Sequence, residues 1–124
     1  LSQTGITSIW QVEECPPLDW MDAGHSLHLL RLLQEALSNV LQHADASSIT
    51  LSCKSSMRQN KSGVLISIVD DGIGFNPSDR SGSKGLGFMH QRAEILNGAL
   101  TIENLVSGGT AVKLWLAQAS VLQD

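Results

Sequence analysis

An apolar, largely β-branched run, Val64-Leu65-Ile66-Ser67-Ile68-Val69, ends abruptly on Asp70-Asp71-Gly72-Ile73-Gly74. This stretch limits the possible folds more than any other. Such a run, with Gly63 before it and two glycines after it, predicts a buried strand closed by a sharp turn. Side chains alternate along a strand, so Asp70 shares a face with Val64, Ile66 and Ile68. A carboxylate on a core-facing side must find donors or cost several kcal/mol. The following glycines, Gly72 and Gly74, let a flat ligand lie against the main chain. A buried acceptor there suits the exocyclic amine of a purine. The same residues also fit a type I′ or II′ turn with Asp as turn former, and taken alone they favour it.

At 124 residues the chain is long enough for one domain with a real core. The net charge is −4 and no basic run occurs, which argues against nucleic acid or an anionic membrane surface as a direct partner. Cys15 and Cys53 lie far apart, and neither they nor His25, His28, His43 and His90 make a zinc pattern. The two cysteines read as reduced thiols of a cytosolic domain, Cys53 as a core thiol, with a bridge left open. No apolar run approaches membrane-spanning length. The start at Leu1, without Met or a signal pattern, reads as a piece of something longer.

The strongest helix is predicted at 25–44, capped by Asp22 or Ser26. Leu29, Leu30, Leu32, Leu33, Ala36, Leu37, Val40, Leu41 and Ala44 occupy one arc, with Arg31, Gln34, Ser38 and Gln42 opposite. Glu35, Asn39 and His43, spaced i, i+4, i+8, line one border of that arc. A border row can be held by the fold and still touch a ligand. Carboxylate and amide oxygens suit Mg2+, which keeps waters and phosphate oxygens as its other ligands. A polar fringe with local contacts is the plainer alternative.

The remaining elements are read more briefly. A weak strand is predicted at 6–12, ended by Pro16-Pro17. Residues 48–54 alternate cleanly and predict a strand with one wet face. Residues 55–62 read as a polar connection with a hairpin to the central strand. Residues 75–85 are small, polar and rich in turn formers, and predict a surface loop placed to act as a lid. Gly85-Leu86-Gly87 opens a helix over about 88–96, stopped by Asn97-Gly98; a glycine-rich loop entering a helix offers N–H groups to phosphate. Arg92 is expected to touch phosphate or to pair with Glu94 or Glu103. Strands at 100–105 and 110–116 flank a tight turn at Ser107-Gly108-Gly109, with Thr110 turned inward.

Four features stand in order: Glu35-Ala36-Leu37-Ser38-Asn39 with His43-Ala44, Asp70-Asp71-Gly72-Ile73-Gly74-Phe75, Gly85-Leu86-Gly87-Phe88-Met89, and Gly108-Gly109-Thr110. Their order and spacing resemble the ATP-binding domain shared by sensor histidine kinases, gyrase, Hsp90-type chaperones and MutL. More closely, Gln34-Glu35-Ala36-Leu37-Ser38-Asn39-Val40-Leu41-Gln42-His43-Ala44 and Gly87-Phe88-Met89-His90-Gln91-Arg92-Ala93-Glu94 resemble the catalytic domain of NarX/DesK-type sensor histidine kinases. The likeness covers about residues 25–117.

The resemblance implies an α/β (α+β) two-layer sandwich of the Bergerat ATP-binding type, a mixed sheet with helices on one face. It implies ATP and Mg2+ as cofactors. Asp70 would bind the adenine amine with help from Thr110, and Gly72 and Gly74 would pass close to the base. Asn39 would hold Mg2+, with Glu35 reaching the ion through a water. Glu35 and His43 would be the catalytic residues, Glu35 polarising the nucleophile and His43 lying near the phosphates. Gly85, Leu86, Gly87 and Phe88 would cradle phosphate, and 75–85 would be the ATP lid. Asp71 stands where that family usually has Asn, and adds a negative charge near the nucleotide. Gly108-Gly109-Thr110 is a shortened form of its Gly-x-Gly-Thr.

The implied activity is transfer of the γ-phosphoryl group to a histidine on a separate helical dimerisation domain, with a response regulator downstream. That acceptor segment is not found in the chain. The implied location is a cytoplasmic domain of a parent anchored in the bacterial inner membrane, with no membrane contact by the chain itself. A degenerate ATP-binding switch and an anti-sigma-factor-type serine kinase of the same fold are the rival readings.

Overall fold

A computed structural model describes residues 6–44, 46–73, 83–106 and 108–118. The elements run β1 (Thr7–Gln11), α1 (Ala23–Asn39), a π-helical turn (Val40–Ala44), β2 (Ser48–Arg58), β3 (Lys61–Asp70), α2 (Ser83–Ile95), β4 (Ala99–Asn104) and β5 (Thr110–Ala117). The five strands form one sheet in the order β1-β2-β3-β5-β4. β1 and β2 are parallel and the other pairs antiparallel, so the sheet is mixed. Parallel neighbours need a crossover, and α1 supplies it.

Strand register explains the core. Pairing of Cys53 with Ile66, Leu51 with Ile68, and Ile66 with Leu114 puts every second residue of three strands on one face. That face carries Ile49, Cys53, Val64, Ile66, Ile68, Val112, Leu114 and Leu116, packed with Leu29, Leu32, Ala36 and Val40 of the first helical segment and Met89, Ala93 and Leu96 at the second. Leu32 is fully buried, a burial that contributes about 1.5–3 kcal/mol for a leucine. The opposite face carries Lys113, paired with Glu103 at 3.4 Å. Trp115 lies there too and donates its indole N–H to the Ser56 carbonyl at 3.0 Å. This is the expected two-layer arrangement.

Local chemistry sets the ends of the elements. Asp22 caps α1 by accepting from the His25 N–H at 2.7 Å and from its ring at 2.8 Å. These contacts hold its carboxyl below the usual range, the backbone N–H most strongly. α1 therefore starts at Ala23, two residues before the expected start. α2 ends as expected. Asn97 is left-handed (φ 53°), and the Gly98 N–H returns to the Ala93 carbonyl at 2.9 Å.

Several expectations need correction. The apolar arc of α1 is narrower than read, because Leu30 and Leu41 are about half exposed. The long polar connection at 55–62 is mostly strand. β2 and β3 are joined by Gln59-Asn60 alone, both with positive φ, as a type I′ turn requires. Cys15 and Cys53 are not free thiols; they form a disulfide, with Cα atoms 4.8 Å apart. It ties the segment leading into α1 to the helix-facing side of β2.

Candidate functional site

Asp70 is the last residue of β3 and is 4% exposed. It pairs with Ile49 across β2. On its other side, one step beyond the pairing of Val69 with Ala111, stands Thr110, the first residue of β5. Both side chains belong to the helix-covered face, in line with Ile68 and Val112, and both are buried. The Gly72 N–H donates to Asp70 Oδ1 at 2.8 Å. Among the described residues that is the only hydrogen-bond partner of the Asp70 carboxylate, which has room for several more donors. Alternation turned each of these side chains inward, and the register sets them on neighbouring strands.

The turn between β4 and β5 closes over this corner. The Leu105 N–H donates to the Gly109 carbonyl at 2.9 Å and the Gly108 N–H to the Leu105 carbonyl at 3.0 Å. Gly109 has a φ of +101°, and a β-carbon there would run into the Asp70 backbone carbonyl and come within 3.0 Å of the Asp71 Cα. The glycine is required both by its backbone angle and by this close approach.

On the helical side, Glu35 and Asn39 keep their i, i+4 relation on α1, and both are half-buried. Asn39 is the last α-helical residue. The Val40 N–H bonds to the Ala36 and Leu37 carbonyls, and the chain then widens into the π-helical turn. His43, expected as the third residue of that row, falls in this turn. Its side chain lies outside the described residues, as do Gly74 and residues 75–82 of the expected lid. Single π-helical turns recur at functional sites.

The glycine loop also differs from expectation. α2 begins at Ser83, so Gly85-Leu86-Gly87 is its first stretch rather than a loop before it. Among the described residues, the N–H groups without intrahelical partners in such a helix are those of 83–85. Gly85 therefore keeps its place at the positive end of the helix, whereas the Leu86, Gly87 and Phe88 N–H groups turn inward along the helix. Phe88 is exposed and Gly87 faces open space. Arg92 pairs with neither glutamate. Its Nη1 donates to His28 Nδ1 at 3.1 Å, tying α2 to α1.

Asp71 does not point toward the pocket. Its Oδ1 accepts from the Ser47 and Ser48 N–H groups, both at 2.8 Å, and its Oδ2 from the Ser47 hydroxyl at 2.7 Å. These bonds, the Ser47 hydroxyl foremost, lower its pKa to about 2. Sequence reasoning gave Asp71 no such partner. It lies 23 and 24 residues from those serines, and no local pattern signals the contact.

A buried acceptor beside a buried hydroxyl, under a close-packed glycine turn, suits the edge of a nucleotide base. The family model described as histidine kinase-, DNA gyrase B-, and HSP90-like ATPase matches residues 24–120. The chain belongs to this family. The nitrate/nitrite sensor protein NarQ of Escherichia coli (strain K12) is 39% identical over 95 residues, which are 76% of this chain and 16% of NarQ. The chain thus spans about a sixth of the length of that relative. The ATP-binding domain of PrrB from Mycobacterium tuberculosis is 30% identical with a TM-score of 0.62, over 76% of this chain and 69% of that one. The histidine kinase AdeS of Acinetobacter baumannii shares the fold, with a TM-score of 0.73 at 16% identity over 97% of this chain and 58% of its own. The molecule is a histidine kinase-type ATPase domain, and ATP is the substrate its family implies. No described helix is long and apolar enough to cross a membrane.

Proposed function

We propose that this ATPase domain is the catalytic unit of a two-component sensor histidine kinase. It holds MgATP for transfer of the γ-phosphoryl group to a histidine on a helical domain of the same parent, which then serves a response regulator. The parent is proposed to be anchored in the bacterial inner membrane. The observation that carries this reading is Asp70, a buried carboxylate beside Thr110 whose described donor is one backbone N–H. That leaves an acceptor for an adenine amine, in a chain 39% identical to a sensor kinase over 95 residues.

In this reading Asp70 and Thr110 take the adenine edge, and the Gly72 and Gly74 backbone lies along the base. Asn39 offers an amide oxygen, and Glu35 a carboxylate one turn away, to a hard cation; such oxygens fit Mg2+. Bound Mg2+ would neutralise charge on the phosphates. The N–H groups at the start of α2 face the same charge from the other side. The acceptor imidazole nitrogen forms the new bond to the γ-phosphorus while the bond to the β,γ-bridging oxygen breaks and ADP leaves. Glu35 orients that imidazole and takes up its proton; His43 lies near the phosphates. Positioning and electrostatics supply most of the catalysis in phosphoryl transfer.

The test is incubation of the chain, joined to its helical acceptor domain, with γ-labelled ATP. The reading predicts label on an acid-labile, base-stable phosphohistidine. With Glu35→Gln, transfer falls on the order of a hundredfold, the scale of general acid–base assistance, while nucleotide affinity stays near wild type. Acid-stable label on a serine would favour the serine-kinase alternative. Binding without transfer would favour a switch module.

A further inference from the structure

Four hydrogen bonds join Asp71 to one dipeptide. Beyond the three that its carboxylate accepts, its own N–H donates to the Ser48 carbonyl at 3.3 Å. Ser47 and Ser48 lead into β2, and they follow closely on the π-helical turn that continues from Asn39. The Ser47 carbonyl also accepts from the Thr7 N–H at 2.9 Å, which brings in the start of β1. Asp71 is the immediate neighbour of Asp70. One residue therefore bolts the end of the adenine-side strand to the chain that returns from the phosphate-side helix.

We infer that Asp71 is a positioning residue, which sets the spacing between the adenine acceptor Asp70 and the Asn39 end of α1 through its clamp on Ser47 and Ser48. This rests on the nucleotide reading above. Its negative charge is spent on three donors where β2 begins and β3 ends, and does not oppose the phosphates. Asparagine can make the same clamp: its amide oxygen accepts from both N–H groups, and its NH2 donates to the Ser47 hydroxyl oxygen. Alanine can make none of the side-chain bonds. The site is exposed, so water takes up the freed N–H groups and the fold survives; the loss falls on geometry.

The clamp predicts a defect that depends on how much of the nucleotide spans the two halves. Adenosine touches only the Asp70 side, whereas ATP with Mg2+ needs both. Titration of the chain with adenosine and with a non-hydrolysable ATP analogue plus Mg2+ gives the ratio of the two affinities. For Asp71→Ala that ratio is expected to fall about tenfold, the lower end of what lost supporting contacts cost at metal sites. Asp71→Asn restores it to within about twofold, as a surface change that keeps its partners should. An unchanged ratio in Asp71→Ala would overturn the inference. So would a parallel loss of both affinities, which general destabilisation produces, or a marked gain in ATP affinity for Asp71→Asn, which a charge facing the phosphates produces. Amide hydrogen exchange over residues 39–48 reads the clamp without any ligand. Exchange should quicken in Asp71→Ala and return toward wild type in Asp71→Asn, and equal exchange in all three would refute the clamp. A wild-type chain that bound no nucleotide would sink the functional reading instead, with the exchange experiment still deciding whether the clamp exists.

Discussion

The two halves of the proposed nucleotide site are built on different physical principles. The adenine half is sheet. Asp70 and Thr110 sit on neighbouring strands, and their facing follows from alternation and from a register carried through Ile68–Val112 and Ile66–Leu114. The phosphate half is made of helix ends: Asn39 where α1 gives way to a π-helical turn, and residues 83–85 where α2 begins. A strand's register is held by every pair along it, and a one-residue slip would expose the whole core face. A helix end is decided by a few capping interactions and shifts by a residue or two at little cost. The half proposed to recognise the base is rigid, and the half proposed to handle the phosphates can adjust.

The contrast makes the largest effect a backbone one on the sheet side. Gly109→Ala places a methyl group against the Asp70 carbonyl in a left-handed backbone position. It should destabilise the chain by about 1–3 kcal/mol, from backbone strain and overpacking, and it should weaken adenosine and ATP binding together. Chemical denaturation beside titration with both ligands checks this. Near wild-type stability would mean that the turn yields and that the adenine half is softer than described.

The phosphate half should respond more selectively. Asn39→Ala is expected to lower affinity for ATP in the presence of Mg2+ about tenfold, a loss typical for one contact at a metal site. Adenosine affinity and stability should be little changed. A Mg2+ titration of ATP binding reads the effect directly. An unchanged Mg2+ dependence would remove Asn39 from the metal site.

The smallest expected effect concerns acid stability. Asp71 has its pKa lowered from an ordinary 3.8 to about 2 by the Ser47 and Ser48 donors. A group whose folded pKa is depressed stabilises the fold above its unfolded pKa and loses that contribution as pH falls through the folded value. Any advantage of the wild type over Asp71→Asn should be complete above about pH 4 and vanish toward pH 2. Thermal melts at pH 6, 4 and 2 test this, and a gap that widened on acidification would contradict the assignment.

The same contrast governs what the sequence revealed. Alternation placed Asp70 on the core face with Ile66 and Ile68, and the inward set Thr110, Val112, Leu114 and Leu116, because period-2 patterning is read from many residues at once. The α1 pair Glu35 and Asn39 was legible for the same reason. The hairpin from β2 to β3 was expected, but the reach of its strands was hidden because their outer ends are exposed and polar, and because Gln59-Asn60 turns without the glycine that marks such turns. Nothing in Val40-Leu41-Gln42-His43-Ala44 announces the π-helical turn that follows Asn39. Gly85 and Gly87 argued for a loop, yet they lie within the start of α2, where glycine costs little and the helix is supported by burial of Met89 and Ala93. The Cys15–Cys53 disulfide spans 38 positions, and the Asp71 clamp 23 and 24. Such contacts depend on how the finished sheet and helix meet, not on a local pattern.

The central claim is that Asp70 makes this chain an adenine-nucleotide binding domain. The most direct test is titration of the wild-type chain and Asp70→Asn with a non-hydrolysable ATP analogue, with and without Mg2+. The account predicts saturable, Mg2+-enhanced binding by the wild type and none by a folded Asp70→Asn variant, because the amide replaces an acceptor with a donor facing the adenine amine. Equal binding by the two proteins would contradict it.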